Sequence, residues 1–291
     1  MPRLSVSLDL SFVEPALEYM GSPGKETLDA LVAHEAAVGV YAHAVRFGNT
    51  VEDIRRFWSQ LLSRASGDPS YAARARAGVR YLEDVDMSEA YTELGWHLPE
   101  NLELRCRLFG ELGYDIGVVS EGDAYLNVGH PHFAAEPREL VYFAVHELHH
   151  VGYTSYNPPF TLSDVKSTRS LEQVVKYSTH LEGTAVYAAY GMRGREGRYG
   201  HVDYTLYHDA SRRDAVLREF SAVLEPIHDE PNREVTAEEL TRILGRLSGE
   251  RLWYVVGLHM AKMIDEELGR DALTGTIVNG PESFFRVYEE L

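Results

Sequence analysis

The sequence predicts an α+β fold, mostly helical, with one small β-sheet. Three observations carry this reading. Apolar residues recur at helical spacing over most of the 291 residues. The period drops to two over residues 102–108, where Leu102, Leu104, Cys106 and Leu108 alternate with Glu103, Arg105 and Arg107. Two Gly-bounded apolar segments follow before the helical period returns. A composition of 44% hydrophobic and 25% charged residues supplies a core and excludes a disordered or fibrous chain.

Along the chain, residues 4–12 alternate loosely as a first strand, and 26–46 form an Ala- and Val-rich helical stretch that stops before Gly48. Thr50 is placed to cap the next helix, with Glu52 and Asp53 in its first turn and Ile54, Phe57, Trp58, Leu61 and Leu62 as its apolar stripe. Ser70 caps a helix through Tyr81, and another spans 88–94. After the 102–108 strand, 114–119 and 124–128 are two more strands, bounded by Gly113, Gly122 and Gly129. Pro137 opens a helix that Gly152 closes. Further helices cover 171–191 and 212–224, and a third begins at a capping box of Thr236 and Glu239. The last long helix, 251–268, ends at Gly269. The expected organisation is a helical N-terminal region, 1–100, packed on a catalytic region, 101–291.

A net charge of −17 argues against a nucleic-acid binder, which needs a basic face to displace phosphate counterions. No apolar run is long enough to span a bilayer, and the N-terminus lacks a basic start followed by an apolar stretch. The single cysteine, Cys106, excludes an intrachain disulfide. These features predict a soluble, cytoplasmic protein with neither nucleic-acid nor membrane partners.

The chemistry concentrates in His146-Glu147-Leu148-His149-His150. On a helix, residues four apart share a face, so His146 and His150 can offer two imidazole nitrogens to one metal ion. Glu147 stands one step round, where it can take a proton from water at the metal's open position. A helical wheel puts Leu140, Val141, Ala144, Val145, Leu148 and Val151 on the opposite, core side. His149 lies on the flank away from Glu147 and reads as a supporting or surface histidine. Catalytic zinc takes three protein ligands, and Glu182 is the candidate for the third. It shares a helix face with Ser178, Thr179, Ala185 and Val186, small enough for a close helix approach. His180 is a rival that points away from that face.

These residues resemble a known group. HExxH followed by a glutamate on the next long helix is similar to the gluzincin metallopeptidases, the thermolysin-like group. Glu182-Gly183-Thr184-Ala185-Val186-Tyr187 resembles a segment of bacterial families described as zinc-dependent proteases. Trp253-Tyr254-Val255-Val256-Gly257 is similar to the YxxG helix of the M1-type aminopeptidase branch. The resemblance covers roughly residues 100–291. It implies a thermolysin-like catalytic core, Zn²⁺ held by His146, His150 and Glu182, Glu147 as general base, and Tyr254 as stabiliser of the oxyanion, with His259 as its rival. It also implies a peptide or small protein substrate.

The chain departs from the pattern in several places. The 31 residues between His150 and Glu182 hold an extra loop, 153–170, fit to wall or cover a site. The segment that anchors a free amino terminus in M1 enzymes is missing, its counterpart being the Gly122–Val128 segment read as an edge strand. No aspartate follows Glu182 by one turn, where Val186 stands. The basic, Gly-rich segment 192–201 reads as an exposed loop. Two other readings compete: a di-iron helical-bundle oxidoreductase, since Glu147 and His150 also form Glu-x-x-His, and a non-catalytic zinc-binding protein. The first wants a second such motif, and the other instance, Glu225 and His228, contains Pro226.

Overall fold

A computed structural model describes residues 1–291 and shows an α+β protein, mostly helical with one four-stranded sheet. The first part of the chain runs β1 (Arg3–Asp9), α1 (Val13–Gly21), α2 (Lys25–Val32), α3 (Glu35–Arg46), α4 (Ile54–Ala65), α5 (Tyr71–Asp84) and α6 (Ser88–Trp96). It continues through β2 (Glu103–Glu111), β3 (Gly117–Ser120), β4 (Asp123–Asn127) and α7 (Glu139–Thr154). Eight helices follow: α8 (Thr168–Ala188), α9 (Tyr190–Glu196), α10 (Val202–His208), α11 (Ala210–Asp229), α12 (Ala237–Gly249), α13 (Leu252–Leu268), α14 (Arg270–Asn279) and α15 (Pro281–Glu289). No helix is long and apolar enough to cross a membrane.

Two compact units result, each assembled from separated segments. One comprises Arg3–Thr92 and Glu103–Val151. Its sheet has the order β1-β2-β4-β3. β1 and β4 run parallel to β2, with Val6 opposite Cys106 and Leu108 opposite Ala124, and β3 runs antiparallel to β4. Glu121 and Gly122, both at positive φ, make the tight turn that joins β3 to β4, the backbone a two-residue hairpin loop requires. β4 is therefore an interior strand, and the expectation of an edge there is corrected: the edge strands are β1 and β3. The core gathers Phe12, Trp58, Leu62, Phe109 and Leu112, with the Trp58 indole donating to the Ala37 carbonyl. The other unit comprises Met1–Pro2, Glu93–Leu102 and Gly152–Leu291, and packs α8 and α13 around Leu171, Val175, Leu247, Val255, Leu258 and Phe284.

Local chemistry explains where elements start and stop. The 26–46 stretch is broken, because the His34 imidazole accepts the Ala36 N–H and caps a new helix, α3. Asp53, not Thr50, caps α4, accepting the Arg55 N–H at 2.8 Å. Thr236 caps α12 through the Glu239 N–H, while the Glu239 carboxylate turns to Arg233 instead of closing the box. Gly152 does not end α7 but lies inside it, where a Cβ would stand 2.5 Å from the Leu98 side chain. The first half of the 192–201 segment is helix α9, which ends at the left-handed Gly197. Pro226 is accommodated within α11.

Candidate metal centre

The HExxH residues occupy the middle of α7. Leu140, Val141, Ala144, Val145, Leu148 and Val151 are all buried, as a core-facing stripe requires. Much of the opposite face is buried as well: Tyr142, Glu147, His150 and Tyr153 are each less than a tenth exposed, while Phe143 and His146 are half-buried. One turn of helix sets the His146 and His150 rings edge to face with centroids 4.4 Å apart, and Phe143 flanks His146 at 6.2 Å. His149 is fully buried, which excludes the surface alternative for it.

Glu147 has a neighbour that sequence inspection misses. Gly117, the first residue of edge strand β3, lies so close that a Cβ there would stand 2.5 Å from Glu147 Oε1 and 2.8 Å from Cγ and Cδ. Gly117 has no positive φ, so its lack of a side chain serves this close approach rather than a turn.

Glu182 lies on α8, and the next residue, Gly183, is where α8 crosses α13. A Cβ on Gly183 would stand 2.2 Å from the backbone of Gly257, and one on Gly257 would stand 2.1 Å from the Thr179 carbonyl. Only two facing glycines permit that contact. The same crossing draws Tyr254, three residues before Gly257, into the field of Glu182. Burial raises the Tyr254 phenol above its ordinary range, the Glu182 carboxylate raises it further, and Arg251 opposes both. His259 lies elsewhere on α13, with its ring beside Tyr207 and Tyr288. His180 is fully buried within hydrogen-bonding distance of Tyr153 and Thr276, and stacks on Phe284. Both ring nitrogens are taken up by those contacts, so His180 serves the core and is not presented as a ligand, and burial lowers its imidazole to about 3.

His146, His150 and Glu182 each bring one potential ligand atom within 4.8 Å of the others. Two imidazole nitrogens and one carboxylate oxygen form a donor set suited to zinc, leaving a position for water or substrate. The second Glu-x-x-His offers nothing similar: Glu225 is exposed and His228 pairs with Glu172 at 3.0 Å. The 153–170 loop is tied down at Asn157, whose amide donates to the Ile277 carbonyl at 2.8 Å and whose own carbonyl accepts the Tyr177 hydroxyl.

Residues 71–291 match the family described as "Putative zinc dependent peptidase (DUF5700)", and the chain belongs to that family. Zinc is the cofactor this membership names, and the His-His-Glu cluster can hold it. Comparison with curated proteins and with solved structures gave no match.

Proposed function

We propose that the protein is a gluzincin-type zinc peptidase in which His146, His150 and Glu182 hold the metal. The observation that carries this is the convergence of those three side chains, from two separate helices, within 4.8 Å. Bound zinc would acidify water and polarise the scissile carbonyl. Glu147, beside the ligands and backed by the bare Gly117, takes the proton of the attacking water and returns it to the leaving amine. Tyr254 donates its phenol hydrogen to the oxyanion that forms at the carbonyl, where a placed donor acts most strongly. The free edge of β3 starts at Gly117, against Glu147, and can pair with the backbone of an extended peptide, so a peptide or small protein is the substrate.

The test uses protein purified without chelators, with zinc measured by plasma mass spectrometry and cleavage read by mass spectrometry on a peptide library. Glu147→Gln should keep about one zinc per chain and lose hydrolysis by about 10²-fold or more, the scale of a general base. Glu182→Ala should lose zinc. Undiminished cleavage by the Glu147 variant would overturn the mechanism, and zinc retained in the Glu182 variant would remove the third ligand.

A further inference from the structure

Arg251 occupies a position that its backbone alone does not favour. It precedes α13 at φ 60° and ψ 24°, the left-handed region in which a Cβ is strained and glycine is at ease. Its guanidinium is held from both sides. Below, Nε and Nη2 reach the two oxygens of Asp203 at 2.6 and 2.7 Å, a bidentate pair. The Asp203 side chain is only 2% exposed, and His201 lies 3.3 Å from it. Above, the guanidinium carbon sits 3.3 Å from the centre of the Tyr254 ring, a face-on stack. The Trp253 ring flanks that of Tyr254, its centroid 6.1 Å away.

We propose that Arg251, clamped by Asp203, is a positioning residue that fixes the Tyr254 phenol for its role in the reaction. This rests on the assignment of Tyr254 as the oxyanion donor. A phenol on a helix can swing about two side-chain torsions. A planar cation locked by a buried carboxylate removes that freedom and withdraws electron density from the ring, which strengthens the hydroxyl as a donor. It also answers Glu182, whose negative charge works against that donor. A lysine could supply the charge but neither the bidentate pair nor the flat stack. This accounts for an arginine where the turn would suit glycine.

The test is a double-mutant cycle with a second, non-kinetic readout. The paired substitution Arg251→Gln with Asp203→Asn removes both charges together, so no buried carboxylate is left unpaired. In the parent enzyme it should lower kcat about 10- to 100-fold, as loss of placement does, with KM and zinc content nearly unchanged. In a Tyr254→Phe background the same pair should cost nothing further. Full, multiplicative losses in both backgrounds would overturn the proposal, because Arg251 would then act independently of Tyr254. If Tyr254→Phe alone leaves kcat intact while Glu147→Gln abolishes hydrolysis, the Tyr254 assignment fails and this proposal with it, but the peptidase reading stands. The second readout is the ring-carbon NMR spectrum of tyrosine-labelled, metal-free protein. The Tyr254 resonance, identified by its loss in Tyr254→Phe, should shift in the paired variant while that of Tyr207, which lies under Arg213, stays in place. A Tyr254 resonance that does not move would overturn the proposal whatever the kinetics show.

Discussion

Single residues of this site differ in how far the sequence gives them away. His146 and His150 are legible because one helical turn fixes their spacing whatever the tertiary fold. Glu182 is legible only as a candidate, since no local spacing ties a residue of α8 to the histidines of α7. Gly117 is not legible at all, as a glycine opening a strand ordinarily marks a turn or a bulge. The structure gives it a different task, to leave space for the Glu147 carboxylate. Gly117→Ala should therefore act on chemistry before stability. Its methyl would meet Oε1 at 2.5 Å, and the flexible carboxylate, rather than a backbone, would move. A displacement of that size should lower kcat by about 10²-fold while zinc content and melting temperature stay close to the parent. Zinc analysis and turnover on one peptide substrate check it. Unchanged turnover would show that Glu147 works from a different rotamer.

At the scale of elements, helix type and order are readable from period and caps, whereas the exceptions come from contacts the sequence does not display. Gly152 looks like a helix stop, yet Leu98 requires a bare backbone there and α7 runs on to Thr154. The strand expected at the sheet edge is interior because edge position is set by the order β1-β2-β4-β3, which alternation of apolar residues does not encode. The α8–α13 crossing belongs to the same class. Small residues around Glu182 indicate a close helix approach, but the partner, Gly257, is more than seventy positions away in the chain. Gly183→Ala would push a methyl into the backbone of Gly257, which cannot rotate aside. Overpacking of this kind costs typically about 1–3 kcal/mol, and backbone on backbone belongs at or above the top of that range. The urea midpoint should fall accordingly, and Gly257→Ala should match it because it meets the Thr179 carbonyl in the same contact. A midpoint unchanged in both variants would show that the helices do not cross there.

For the molecule as a whole, the sequence conveys the α+β class but not the interleaving of segments that makes the two units, since no composition change marks residues 93–102 as belonging with 152–291. Titratable groups that are buried or half-buried lie in both units and contribute to the response to acid, and two of them, His43 and Asp203, act over different pH ranges. In one unit, burial and the neighbouring Arg46 lower His43 from an ordinary 6.5 to about 4, with the ring 3.2 Å from the Tyr114 hydroxyl. In the other, burial would raise Asp203, but the hydrogen bonds from Arg251 and His201 prevail and hold it at about 2. For His43 the unfolded chain binds a proton from about pH 6.5 downward while the folded one refuses it until about pH 4, so stability is lost as pH falls through that interval. That interval converts to at most about 3 kcal/mol, and less for the part of the ring that water reaches. Asp203 has the depressed pKa of a paired carboxylate, so its contribution is complete above about pH 4 and disappears only as pH approaches 2. Between pH 7 and 4 the loss assigned to these two groups therefore comes from His43. Chelator-treated protein should show a falling urea midpoint over that range, and His43→Gln should make the fall shallower, with His180 and the metal ligands titrating alike in both proteins. An equal slope in parent and variant would mean that the folded chain protonates His43 as readily as the unfolded one.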